Sequence, residues 1–146
     1  MDEPNIKTLN EVLQGEYMAF HAFEDVADKI ENPALRNQLY HIQSIHQENI
    51  LKISKRIEEL GGHPRENRGF SGLMADIMLR LDATLHHEPQ YILKKLYDGE
   101  DKGIAAVEKL IEGDLDQESA QLVQEVLSTD HDNLKHLQHL IRNTTK

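Results

Sequence analysis

Apolar residues recur along this chain every three or four positions, the spacing of one face of an α-helix. From Ile6 the series runs Leu9, Leu13, Phe20, Phe23, Ala27 and Ile30, which predicts a helix over about 6–31. Asn32-Pro33 reads as an N-cap followed by proline at the first helical position. A second stripe follows over about 33–60: Leu35, Leu39, Ile42, Ile50, Ile53, Ile57 and Leu60. Gly61-Gly62-His63-Pro64 stops it, because glycine supplies a left-handed cap and proline forbids resumption. After a polar stretch, Ser71 can cap a shorter helix over about 71–87 with an apolar face of Leu73, Met74, Ile77, Met78, Leu81 and Leu85. Pro89 opens a third long helix, about 89–112, carrying Leu93, Leu96, Ile104, Val107 and Ile111. Asp116 can cap a fourth, about 116–142, with Ala120, Val123, Leu127, Leu134, Leu137 and Ile141. No strand pattern longer than a few residues interrupts this.

Connection lengths then predict the architecture. Two residues join helices one and two and about three join the last pair, so each pair is an antiparallel hairpin. The link between the pairs, Gly61 to Glu88, has 28 residues. It can cross the full height of a bundle whose helices are about 37 Å long at 1.5 Å per residue. The expectation is an all-α single domain spanning 1–146: an antiparallel four-helix bundle with a long crossover that contains a short fifth helix.

Each long helix carries an ionisable residue where its stripe calls for a hydrophobe: Glu16, His46, Glu100 and His131. Glu16 and His46 are 30 residues apart, Glu100 and His131 are 31, and each Glu follows a Gly, so the hairpins read as copies. Folded as above, the four side chains would meet at mid-height. Unpaired charges in an apolar interior cost several kcal/mol each, so they persist when paired or metal-bound. Two carboxylates and two imidazoles suit Fe(II), Mn(II) or Zn(II). Carboxylate-bridged di-metal bundles carry Glu-x-x-His on two helices. The matching segments here, Gln43-Ser44-Ile45-His46 and Ser128-Thr129-Asp130-His131, keep the His and lack the Glu. Two carboxylates balance one divalent ion, not two, which disfavours a di-iron oxidase and leans away from an enzyme. Gln43, Ser128, Tyr97 and Tyr40 are candidate hydrogen-bond partners around the ligands. Asp130 lies about 100° around the helix from His131 and is not counted as a ligand. The same four residues also suit a metal-free layer of imidazolium–carboxylate pairs that sets helix register.

Composition narrows the function classes. The 146 residues hold 16 Lys plus Arg against 26 Asp plus Glu, a formal net charge of −10, with nine His and no Cys. Disulfides, thiolate metal sites, Cys nucleophiles and iron–sulfur clusters are excluded. The acidic balance disfavours nucleic acid, and no apolar run reaches the ~18–20 residues of a membrane helix. The acidic N-terminus has no h-region, so a cytoplasmic protein is expected. The Met- and Leu-bearing segment 73–85 is the candidate homodimer surface. His136 and His139 share one helix face, and His86-His87-Glu88 lie at a helix end; either group could bind a surface metal weakly, and solvated helix positions are the expected account of both.

At these residues the chain resembles the ferritin-like superfamily, and more narrowly a bacterial branch of four-helix proteins of unassigned function. The resemblance runs from about Ile6 to Leu140. It includes Leu9-Asn10-Glu11-Val12-Leu13, Leu60-Gly61-Gly62-His63-Pro64, Gly99-Glu100-Asp101 and His131-Asp132. It implies the ferritin-like fold and assigns no activity, and Gln43 and Ser128 depart from the superfamily at its metal layer. Two functions follow as expectations. One is a bundle holding a single divalent ion (Fe, Mn or Zn) for metal handling or stress defence. The other is a metal-free stress, scaffold or interaction protein.

Overall fold

The computed structural model describes residues 3–65, 88–111 and 113–144. Four helices account for nearly all of them: α1 (Glu3–Lys29), α2 (Pro33–Glu59), α3 (Pro89–Leu110) and α4 (Gln117–Asn143). The described residues contain no strand. The crossover helix expected at 71–87, and with it the dimer surface at 73–85, lies outside the described residues. No helix among the described residues is long and apolar enough to cross a membrane.

Local chemistry sets the helix ends. The Asn32 side chain accepts the Leu35 backbone N–H at 3.1 Å, with Pro33 opening α2. Asp116 does the same for α4, accepting the Ser119 N–H at 2.7 Å. Between α1 and α2, the Arg36 guanidinium donates twice to the Ile30 carbonyl, at 2.8 and 2.6 Å, and satisfies an oxygen that the helix end leaves orphaned. After α2, Gly61 takes φ +85, where a side chain would be strained. The Gly62 N–H returns to the Ile57 carbonyl at 2.9 Å. Gly62 also touches α1 so closely that an added Cβ would stand 2.8 Å from the Ile6 side chain.

The packing gives the helix directions. One apolar cluster joins the end of α1 (Phe23, Val26, Ala27) to the start of α2 (Leu35, Leu39, Ile42), the start of α3 (Ile92, Leu93, Leu96) and the end of α4 (Leu137). The other joins the start of α1 (Leu9, Val12, Leu13) to the end of α2 (Ile50, Ile53, Ile57), the end of α3 (Ile104, Val107) and the start of α4 (Val123, Val126, Leu127). Within each hairpin the helices are therefore antiparallel, and α2 and α3 run the same way. The contacts run round a four-sided ring, α1 against α2 and α3, and α4 against α2 and α3. Each fully buried aliphatic side chain in these clusters contributes roughly 1.5–3 kcal/mol.

One end is closed by polar side chains. Arg56 of α2 donates from Nε to Ser119 Oγ at 2.9 Å and from Nη2 to Asp116 Oδ2 at 3.0 Å. Asn5 of α1 donates to the same Asp116 oxygen at 2.8 Å. The N-cap of α4 thus binds three helices together at one end of the bundle.

Candidate metal centre

A polar layer separates the two apolar clusters. Glu16 of α1, His46 of α2, Glu100 of α3 and Asp130 of α4 are 3, 0, 7 and 3 % exposed. The His46 ring lies at the centre, with the Phe23 ring 5.5 Å from it between centroids. Its Nδ1 donates to Glu16 Oε1 at 2.7 Å and its Nε2 donates to Glu100 Oε2 at 2.9 Å. Both nitrogens face carboxylate oxygens, so the ring that satisfies both is the doubly protonated imidazolium. Asp130 Oδ1 stands 3.6 Å from the same Nδ1. Asn49, one turn beyond His46, donates to Glu16 Oε1 at 3.1 Å, Thr129 Oγ1 at 3.0 Å and Asp130 Oδ1 at 3.4 Å.

Burial and charge divide the protons unequally. Burial pushes the Glu16 carboxyl up, but attraction to His46 and hydrogen bonds with His46, Asp130 and Asn49 outweigh it and hold Glu16 below its ordinary value. Burial pushes His46 down, yet Glu100 and Glu16 together raise it well above the ordinary imidazole. Asp130 goes the other way. Its burial, the Glu16 charge and a hydrogen bond in which it serves Glu16 as the protonated partner push it up to about 11. With His46 doubly protonated and Asp130 neutral, the oxygens that accept from the ring belong to the carboxylates of Glu16 and Glu100. Two negative charges against one positive leave a single net negative charge.

The structure therefore brings together three of the four residues expected there. His131 is the correction: it is 48 % exposed and its Nε2 pairs with Glu108 at 3.3 Å, outside the core. Asp130 occupies the inward position instead. The reason is the composition of the buried face of α4, which reads Ser119, Val123, Val126, Leu127, Asp130, Asn133 and Leu137. Three of these seven are polar, so a stripe drawn through the apolar residues alone rotates onto Leu134 and His131. Leu134 is only half-buried.

The expected hydrogen-bond partners are also replaced. Tyr40 is exposed and its hydroxyl donates to Asp28 Oδ1 at 2.7 Å, on the surface. Ser128 is exposed, beside His131 on an outer groove. Gln43 is half-buried, and Tyr97 packs half-buried against the apolar cluster that holds Phe23. The group that does serve the carboxylates is Asn49, itself held by Thr129, whose hydroxyl accepts from Asn49 and donates to the Val126 carbonyl at 2.8 Å.

One signal in the sequence finds Asp130. Adding 84 to Glu16, His46 and Asn49 gives Glu100, Asp130 and Asn133, and adding 84 to the cap Asn32 gives the cap Asp116. The second hairpin repeats the first at this offset, and His131 lies one residue out of register with it. The repeat is imperfect at one atom. Asn49 Nδ2 has three acceptors, whereas Nδ2 of the buried Asn133, one turn beyond Asp130, is a buried side-chain atom with no partner.

Chemically, Glu16, His46 and Asp130 each offer one ligand atom, and these lie within 4.8 Å of one another. Two carboxylate oxygens and an imidazole nitrogen are a hard-to-borderline set. Glu100 sits on the other ring nitrogen, the place from which a carboxylate orients a metal-binding imidazole. The layer is reached from a cleft between α1 and α3 whose lining includes Glu16, Glu100 and Asp130 among apolar side chains such as Met18, Phe23 and Leu96.

The model of a family described as a domain of unknown function, DUF2383, matches residues 5–113 of the chain. The matched stretch includes Glu16, His46 and Glu100 and stops short of Asp130. No curated protein matches the chain.

Proposed function

We propose that this chain, which belongs to the family of the domain of unknown function DUF2383, is a ferritin-like bundle whose core takes up one divalent cation in exchange for two protons. The observation that carries this reading is the meeting of Glu16, His46 and Asp130, buried and within ligand distance of one another. The parallel run of α2 and α3 supports the ferritin-like arrangement with a crossover, because the chain leaves α2 at one end of the bundle and enters α3 at the other.

The donor set fits Fe(II), Mn(II) or Zn(II). Charge supports the exchange. Binding through His46 Nδ1 and Asp130 requires the imidazolium and the neutral carboxyl each to give up a proton. Three carboxylates with one divalent ion then carry the same single net negative charge as the protonated layer. The ion is thus accommodated without a new uncompensated charge in the interior, where such a charge costs several kcal/mol. Asn133 Nδ2, a donor without an acceptor one turn from Asp130, is suited to a group brought in with the ion. Metal handling or stress defence is the role consistent with a single buried ion and an incomplete pair of Glu-x-x-His motifs.

Calorimetry on tag-free, chelator-stripped protein tests this directly. Fe(II), Mn(II) or Zn(II) should raise the Tm by mass action, by about 2.7 kcal/mol of stability at one hundred times Kd. About two protons should be released per ion, so affinity should fall about hundredfold per unit of pH lost below neutrality. Asp130→Asn and Glu16→Gln should abolish the Mn(II) and Fe(II) responses and His131→Ala should leave them intact. No shift with any of the three ions would sink the reading. It would leave the second one, a metal-free layer that fixes helix register, which the 2.7 and 2.9 Å pairs of His46 with Glu16 and Glu100 favour.

A further inference from the structure

Outside the core, the seam between α2 and α4 carries a second group of nitrogen donors. His41 and Gln38 lie one turn apart on α2, and His136 and His139 lie one turn apart on α4. The antiparallel packing sets the two pairs side by side. The His41 and His136 rings are 6.3 Å apart between centroids, at an interplanar angle of 63°. A ring nitrogen binds zinc at about 2.0–2.1 Å, which places the ring centre about 3.2 Å from the ion. A tetrahedral ion therefore sets two such centres about 5.2 Å apart, so this pair must close by about 1 Å to share one. Gln38 Oε1 accepts from His136 Nε2 at 2.8 Å. That bond selects the tautomer with a lone pair on Nδ1, as hydrogen bonds to the far nitrogen do for metal-binding imidazoles. His41 and His139 are exposed and can change rotamer without disturbing packing, His139 giving up the 2.8 Å bond that its Nε2 accepts from Asn143 Nδ2. Burial first, and then the nearness of His41 and His139, lower the proton affinity of His136.

From this juxtaposition we infer that His41, His136 and His139 form a second metal site, on the surface, for a borderline ion such as Zn(II), Ni(II) or Cu(II). The set has no carboxylate, whereas the core group has two, so the two sites prefer different ions. Imidazole-only sites favour the later first-row metals, and oxygen-rich ones accept Mn(II) and Fe(II). An ion held here joins one hairpin to the other and stabilises the bundle by mass action.

The test compares the whole chain with its variants by titration with Zn(II), Ni(II) and Mn(II), without a His-tag. His136→Ala should bind one equivalent fewer of Zn(II) and Ni(II) than the wild type and the same amount of Mn(II). His41→Ala should behave alike, and His139→Ala should weaken Zn(II) binding at least tenfold. Gln38→Ala, which removes only the group that sets the tautomer, should weaken it by about tenfold. These residues lie at the surface, so the variants should keep the wild-type circular dichroism. Zn(II) and Ni(II) stoichiometry and affinity unchanged in His41→Ala or in His136→Ala would overturn the proposal. The readout is a difference between wild type and a surface variant, so it holds whether or not the core takes up an ion. A core that binds nothing would be seen separately, as a Zn(II) response that His136→Ala removes entirely.

Discussion

The two hairpins have the same plan and different interiors. On the buried face of α2 six aliphatic residues (Leu35, Leu39, Ile42, Ile50, Ile53, Ile57) flank His46 and Asn49. On α4 the equivalent face has four (Val123, Val126, Leu127, Leu137) and sets Ser119 where α2 has Leu35 and Asp130 where α2 has His46. This difference is what makes the core chemically useful. Two copies of the first hairpin would bring two Glu and two His, a set that can neutralise itself with protons alone. One His among three acids cannot do so: even with Asp130 protonated, the layer keeps a single net negative charge. In the proposed exchange the second hairpin supplies a proton for a cation to displace, and the first supplies the imidazole that holds the layer together meanwhile.

The largest effect expected from breaking this asymmetry is at His46. His46→Ala leaves Glu16 and Glu100 facing each other without their cation, and should cost about 3–5 kcal/mol in urea denaturation. His131→Ala, at the position that the apolar stripe of α4 pointed to, should stay within about 0.5 kcal/mol. Comparable losses at both positions would contradict the placement of His131 on the surface.

A smaller effect separates the two acids. Glu16→Gln removes a charge-assisted bond to His46 and should cost about 1.5–3 kcal/mol, whereas Asp130→Asn replaces a neutral acid by a neutral amide that takes up no proton on folding, and should leave stability at pH 7 unchanged or higher. The pH profile sharpens the contrast. His46 is raised, so its contribution is full below the unfolded value of about 6.5 and is lost as pH climbs through the folded one. Asp130 is also raised, so stability declines with pH from its unfolded value of about 3.9 towards the folded value of about 11. Glu16 is lowered; its contribution is present above about 4.3 and is lost as pH falls through the folded value. Chelator-treated wild type should therefore lose stability between pH 7 and 9, and Asp130→Asn should lose less. Parallel profiles for the two proteins would contradict a protonated Asp130.

The smallest effect compares the two caps, Asn32 and Asp116. Asn32→Ala should cost about 1 kcal/mol, the ordinary worth of an N-cap. Asp116→Ala also frees Arg56 and Asn5 and should cost more, about 1–2 kcal/mol. Equal losses in thermal melts would show that the polar junction at that end adds nothing to the cap.

The parts of this molecule that were legible in the chain are those governed by neighbours in sequence. Asn32-Pro33, Gly61-Gly62 and Asp116 mark helix ends through bonds that span three to five residues. The Leu and Ile stripe of α2 names its buried face correctly, and with it His46, because nearly every inward position there is apolar. Glu16 and Glu100 were found in the same way. On α4 the method fails for a physical reason: inward polar residues are silent in a hydrophobic pattern, and 130 and 131 stand equally well one turn after 126 or 127. The internal repeat could have resolved this, since Glu100 to Asp130 is the same 30-residue interval as Glu16 to His46.

By itself, then, the order of residues determined four helices, their caps, two hairpins and three of the four members of the polar layer. Those follow from dihedral preference, capping and the 3.6-residue period, all of which are local. Only the tertiary structure decided that Asp130 turns inward while His131 faces solvent, because that choice depends on what α1 and α2 present across the core. It decided the proton inventory for the same reason: the charge on Asp130 is set by its burial and by Glu16 and His46, residues more than eighty positions away, held against it in the buried layer.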